Sequence, residues 1–378
     1  MAINPVEFYN AIASHGVELF TGVPDSLLKE FCLCLDDKIS KKKHIITANE
    51  GNAIALASGH YLATQSIPLV YMQNSGLGNA INPLLSLCDP DVYSIPMLLM
   101  IGWRGEPGIK DEPQHVKQGK IQIELMKAMN IPYEVISKDN PNYQIQIERC
   151  VNIANKENRP TALLIRKGTF DKYDEASSTK SIDGMLREDA LEIIINNLAL
   201  DTIIVSTTGK TSREIFEIRE KNNQSHKSDF LTVGSMGHCS SIALGIALAK
   251  PNRDVVCIDG DGSMLMQLGS LTTIAEFKPP NFRHILLNNK VHESVGGQST
   301  AANYVDLSAI VSSMDVYKLF IAQSKRELTH VIKEFLDYKK SSFLEVIICP
   351  GSRSDLGRPS IKPVNNKLNF MKFIKGSS

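Results

Sequence analysis

One stretch of this chain sets a carboxylate and two carboxamides at the ends of neighbouring apolar strands. Asp254-Val-Val-Cys-Ile258 is a short apolar run that predicts a buried parallel strand, and it leads into Gly260-Asp261-Gly262-Ser263. Met264, Leu268, Leu271 and Ala275 then recur at helical spacing and predict a helix face. His284-Ile-Leu-Leu287 predicts a second strand, which delivers Asn288-Asn289. Strand, glycine turn, helix and strand make a βαβ unit, so both donor sets emerge at the carboxyl edge of a parallel sheet, where ligands bind. Asp and Asn offer hard oxygen donors suited to a Mg²⁺ ion that keeps its remaining positions for phosphate oxygens. Gly-Asp-Gly alone is ordinary turn chemistry, as is an Asn-rich loop. Their spaced combination is far more restrictive.

The rest of the chain repeats this plan twice. Asn4-Pro5 caps a helix through Phe8 and Ile12, followed by a strand at Glu18-Leu-Phe20, with further strands at Leu69–Met72, Met97–Ile101 and Ala162–Ile165. In the second half a helix from Glu188 to Leu198 precedes a strand at Thr202–Ser206, and strands at 255–258, 284–287 and Phe343–Ile348 follow. Strands alternating with helices predict an α/β fold of two doubly wound parallel-sheet domains. The polar, turn-rich segment beginning Asp171-Lys-Tyr-Asp-Glu reads as a linker. The expected organisation is a first domain over 1–170, a linker over 171–186, a second domain over 187–363 and a tail over 364–378. A length of 378 residues accommodates two such domains.

Composition narrows the partners. Forty-one basic and 41 acidic residues balance, so no global charge favours nucleic acid or a membrane surface. Seven cysteines are scattered, and Cys32-Leu-Cys34 lacks the two-residue gap of redox and zinc motifs. There is no basic-then-apolar leader pattern, and no apolar run approaches membrane-spanning length. The expectation is a cytoplasmic protein acting on a small molecule.

Gly-Asp-Gly followed at this distance by Asn-Asn resembles the diphosphate-binding motif of thiamine diphosphate enzymes. The resemblance implies that Asp261, Asn289 and the backbone carbonyl of Val291 hold Mg²⁺, while Gly260, Gly262 and Ser263 meet the diphosphate. Thr232-Val-Gly234-Ser-Met236-Gly237-His238 is similar to the segment that bends the cofactor, with Met236 as the wedge and the Gly234 carbonyl facing the aminopyrimidine. Thr208 and Gly209, ending the Thr202–Ser206 strand region, could cradle phosphate in backbone amides or simply cap a helix. Glu50, opening an Ala-rich helix in Thr47-Ala-Asn-Glu50-Gly51-Asn-Ala, resembles the glutamate that controls the aminopyrimidine proton. On its own it would be a helix-start glutamate favoured by the macrodipole. The implied enzyme is at least a homodimer, because in this family the two anchors of one cofactor come from different subunits. The middle domain of larger 2-oxoacid decarboxylases has no room here.

Further segments narrow the resemblance to decarboxylases of 2-oxoacids bearing a phosphonate or a sulfonate: Gly22-Val-Pro-Asp25, Gln73-Asn-Ser-Gly-Leu-Gly-Asn79, Gly102–Gly108, Asp111–His115, His292-Glu-Ser294-Val-Gly-Gly-Gln298 and Ser352–Pro359. The expected reaction converts 3-phosphonopyruvate to phosphonoacetaldehyde and CO2, with the sulfonate acid or a carboligation as alternatives. Asp25 and His115 are the expected proton-transfer residues beside Glu50. A substrate with about three negative charges calls for cationic or hydrogen-bonding groups. Arg104, Lys117, Arg353, Arg358, His292 and Ser294 are the candidates, a surface ion pair being the plain alternative for the C-terminal arginines. A nicotinamide-dependent dehydrogenase is disfavoured, since no Gly-x-Gly-x-x-Gly opens a βαβ unit.

Overall fold

The computed structural model describes residues 2–140, 142–173 and 184–376. The chain divides into two compact units, Met1–Thr179 with Val295–Gln298, and Lys180–Ser294 with Ser299–Ser378. Most of the expected linker, 174–183, lies outside the described residues.

The first unit contains β1 (Phe20–Gly22), β2 (His44–Ile46), β3 (Leu69–Gln73), β4 (Met97–Gly102), β5 (Tyr133–Ile136) and β6 (Pro160–Ile165). They form one parallel sheet in the order β2-β1-β3-β4-β6-β5. The second unit contains β7 (Ile203–Ser206), β8 (Asp229–Leu231), β9 (Val255–Gly260), β10 (Phe282–Asn288), β11 (Lys318–Ala322) and β12 (Ser342–Ile347). Its parallel order is β8-β7-β9-β10-β12-β11. Counted from each unit's own first strand, the two topologies are identical.

Each central strand is largely buried because helices cover both faces of its sheet. Successive side chains alternate faces. Leu69, Tyr71, Leu98 and Met100 therefore join one core of the first unit, and Val70, Met72, Leu99 and Ile101 join the other. In the second unit Val256, Ile258, Ile285 and Leu287 face one way, and Val255, Cys257, Phe282 and Leu286 the other.

The expected strands are present, with β1 beginning at Phe20 rather than Glu18, while β5, β8 and β11 are not expected from the sequence. Asn4 caps the first helix as expected, accepting from the Val6 N–H at 2.8 Å. The single helix expected through Met264 and Ala275 is two helices, Asp261–Met266 and Ser270–Phe277, broken around Gly269. The segment read as a tail carries a helix, Pro363–Lys375, that buries Phe370 against Phe230 at 5.6 Å between ring centroids. No helix among the described residues is long and apolar enough to cross a membrane.

In both units the chain reverses direction across the sheet between the first and third strands. Ligands bind outside the carboxyl ends of strands at such a switch point. The segments leaving β1 to β4 and β7 to β10 therefore carry the chemistry.

Candidate active site

In the first unit, Glu50 opens the helix Glu50–Thr64, which follows β2 and is capped by the Asn49 side chain. Its side chain is buried and accepts from Asn79 Nδ2 at 2.8 Å. Gly76 lies against it so closely that a β-carbon there would collide with the Glu50 carboxylate. Asp25, beyond β1, is fully buried. Gln73 Nε2 donates to its Oδ1 at 2.6 Å and the Leu27 N–H to its Oδ2 at 3.0 Å. Burial pushes its carboxyl above the ordinary range, against those hydrogen bonds and nearby Arg104.

Arg104, just past β4, is fixed rather than free. Its Nε and Nη2 grip both oxygens of Asp111, and Nη1 donates to Ser26 Oγ at 2.8 Å. His115 is buried in the helix Pro113–Lys120, and desolvation, assisted by Arg104, lowers its pKa to about 4. The imidazole is therefore neutral near neutral pH. The stretch 102–120 is tied down here by Trp103, whose Nε1 donates to the Gly119 carbonyl at 2.9 Å. Lys117 is exposed on the same helix.

In the second unit, four strand ends converge. Thr208 Oγ1, after β7, accepts from the Gly234 N–H at 2.9 Å, linking that loop to the one after β8. Ser263 Oγ accepts from Thr207 Oγ1 at 3.0 Å and from the Gly237 N–H at 3.1 Å. Its hydroxyl thus braces these loops against the Gly-Asp-Gly turn. A β-carbon on Gly262 would stand 3.4 Å from both Met236 Cε and His292 Cε1, so those two side chains meet over the glycine. Gly209, with φ +94°, turns the chain toward Ser294, whose Oγ would lie 3.8 Å from a β-carbon there. Desolvation lowers the half-buried His292 to about 4, which keeps it neutral.

Asp261 is 3% exposed and accepts from Thr300 Oγ1 and from the backbone N–H groups of Gly262 and Asn289. Burial pushes its carboxyl up to about 6. A carboxylate this desolvated gains strongly from a divalent cation, and the adjacent Asn289 supplies a second hard oxygen. Lys290 adopts a left-handed φ of 61°, turning the chain between Asn289 and Val291. The donor set fits Mg²⁺.

The structure does not bring every expected residue to these sites. Arg353 sits in an exposed cluster with Glu188, Glu217 and Asp355, the geometry of a surface ion pair. Arg358 is exposed in the following turn. Conversely, sequence reading gave no role to Gln73 and Asn79, which orient Asp25 and Glu50, nor to Thr300 or Glu293. Gln73, Asn79 and Glu293 stood inside motifs already singled out. Nothing local pointed to Thr300.

Two open α/β units, one presenting a buried glutamate and the other the Gly-Asp-Gly and Asn-Asn segments, define a thiamine diphosphate-binding enzyme. Residues 7–128 match the N-terminal TPP binding domain of the thiamine pyrophosphate enzymes, and residues 207–346 match their C-terminal TPP binding domain. The chain belongs to this family, among its decarboxylases. It is 32% identical to the phosphonopyruvate decarboxylase of Streptomyces viridochromogenes, over 98% of this chain and 95% of that one. It is 33% identical to the phosphonopyruvate decarboxylase of Streptomyces hygroscopicus, over 95% and 90% of the two chains. The sulfopyruvate decarboxylase of Methanosarcina acetivorans is 27% identical, over 93% and 92%.

Proposed function

We propose that this protein decarboxylates 3-phosphonopyruvate to phosphonoacetaldehyde and CO2, using thiamine diphosphate and Mg²⁺. The observation that carries the substrate is similarity to phosphonopyruvate decarboxylases along nearly the entire length of both chains. The lower identity to a sulfopyruvate decarboxylase keeps that acid as the second reading.

Asp261, Asn289 and the Val291 carbonyl would hold the cation. Thr208, Gly209, Gly260, Gly262 and the backbone at Ser263 would line the diphosphate, and Met236 with the Gly234 carbonyl would set the bend. Thiamine diphosphate, when bound, supplies the carbanion that attacks the 2-oxo carbon and the electron sink that lets carbon dioxide leave. Glu50, fixed by Asn79, holds and returns the proton at the aminopyrimidine edge. Asp25 and neutral His115 carry the later proton transfer to the product carbon. Arg104, pinned by Asp111 beside both, offers the phosphonate a preorganised cation. His292, Ser294 and Lys117 complete the polar lining in this reading.

Glu50 and Asp261 belong to different units, and we propose that Glu50 of one copy and Asp261 of another complete one site in a homodimer or larger homo-oligomer. In this reading the enzyme works in the cytoplasm, in keeping with the odd number and scattered spacing of its cysteines.

The test is carbon dioxide release by the purified protein with Mg²⁺ and thiamine diphosphate, from phosphonopyruvate, sulfopyruvate and pyruvate in parallel. Cofactor-dependent release chiefly from phosphonopyruvate is expected. Preference for sulfopyruvate would retain the cofactor and overturn the substrate.

A further inference from the structure

The Asn289 carboxamide has two ends that differ in charge, and only its oxygen can face a cation. Nothing in the amide itself selects the orientation, because its oxygen and NH2 are nearly the same size. We infer that Glu293 is a positioning residue that makes this selection. Glu293 Oε2 accepts from Asn289 Nδ2 at 3.0 Å, and a carboxylate can only accept. A flipped amide would set two oxygens against each other. At the other end, Asn289 Oδ1 accepts the Val291 N–H at 3.1 Å, which agrees with the same orientation.

Glu293 is itself immobilised from two helices. Lys210 Nζ donates to its Oε1 and Arg187 Nη1 to its Oε2, both at 2.8 Å. Arg187 is in turn gripped by both oxygens of the fully buried Glu214, at 2.8 and 2.9 Å. Two cations and two carboxylates cancel in this chain, so Lys210 is committed to Glu293 rather than left to neutralise a phosphate. The helices Arg187–Asn197 and Lys210–Lys221 thereby hold a loop residue after β10 that neither helix could fix alone. Hydrogen-bond partners of metal ligands commonly govern affinity in this way.

This inference rests on the reading of Asp261 and Asn289 as Mg²⁺ ligands, and the experiment separates the two. The Mg²⁺ concentration that supports half-saturation with thiamine diphosphate is measured by fluorescence titration, with thermal unfolding as a check on the fold. In E293A that concentration should rise about tenfold or more, the usual range for losing a ligand's hydrogen-bond partner. K210M, which releases one side of Glu293, should shift it less in the same direction and remains informative where E293A unfolds. Asp in place of Asn289 has two equivalent oxygens and needs no orienting, so E293A added to N289D should cause no further rise. Unchanged Mg²⁺ dependence in E293A and K210M would overturn the inference, and so would tighter cofactor binding, which would make Glu293 a charge neutraliser. An equal penalty in the N289D background would reduce it to packing. If D261A leaves the Mg²⁺ dependence intact, the metal reading itself fails and the inference falls with it.

Discussion

Two ionisable side chains of the first unit, Glu50 and His115, are buried, yet their neighbours assign them different chemistry. Glu50 accepts a carboxamide hydrogen from Asn79 and so keeps one orientation of its carboxylate. Glu50→Gln preserves size and the Asn79 contact but removes the transferable proton. We expect it to bind thiamine diphosphate normally while kcat falls about 10²-fold or more, the scale of general acid–base catalysis. Near-normal turnover in a steady-state assay would remove Glu50 from the reaction. His115 is held neutral by burial, with its pKa at about 4 against an ordinary 6.5. The unfolded chain therefore takes up this proton first as pH falls, and stability declines as pH drops from about 6.5 through about 4, with no effect above that window. His115→Asn cannot titrate and should flatten this part of the acid limb in urea unfolding followed against pH. An identical limb in both proteins would show that His115 is not desolvated in solution.

At the scale of elements, close helix packing shapes the Glu50 site. Gly51 approaches the Asn79 carbonyl, and Gly76 approaches the Glu50 side chain, which lets the helix Glu50–Thr64 lie against Leu77–Pro83. Gly76 has an ordinary φ of −71°, so alanine there is sterically acceptable to the backbone itself. Its methyl would instead push the Glu50 side chain out of the orientation that Asn79 holds. Gly76→Ala should therefore leave the melting temperature nearly unchanged and lower kcat, because the carboxylate moves. Loss of stability with full activity in the remaining folded protein would contradict this account. Gly102, ending β4, bears the same relation to Asp25. Both functional carboxyls thus sit against glycines that stand at a strand end or helix start.

For the whole molecule, duplication is the governing fact. Two units share one strand order, yet one presents buried Asp25, Glu50 and His115 and the other the candidate cation ligands Asp261 and Asn289. Neither unit contains both. Mixing two inactive variants, Glu50→Gln and Asp261→Ala, tests the proposed sharing of sites between copies. A hybrid dimer would carry one intact site, from the unaltered Glu50 of one chain and the unaltered Asp261 of the other. Activity should reappear after subunit exchange. If size measurement confirms exchange and the mixture stays inactive, each site is completed within one chain.

The sequence by itself determined the architecture, and it singled out Asp261 and Asn289 as the candidate cation ligands. The central strands were legible because each is buried on both faces and reads as an apolar run, as in Leu69–Met72 and Met97–Ile101. Asp261 and Asn289 were legible because a βαβ unit fixes where strand ends lie. The edge strands β5, β8 and β11 were not legible. β5 is mostly half-buried, β8 is only three residues long and begins with Asp229, and β11 mixes exposed and buried residues, so none of them reads as a continuous apolar run. Only the tertiary structure decided which charges are available. Arg104 and Arg353 look alike in sequence, but one is clamped beside Asp25 and His115 and the other lies among surface carboxylates. It also decided that Asn79 orients Glu50 and that Glu293 faces Asn289. Asn79 and Glu50 lie far apart in the chain, and Asn289 and Glu293, though close in sequence, meet only through the path of an irregular loop, which local sequence does not fix.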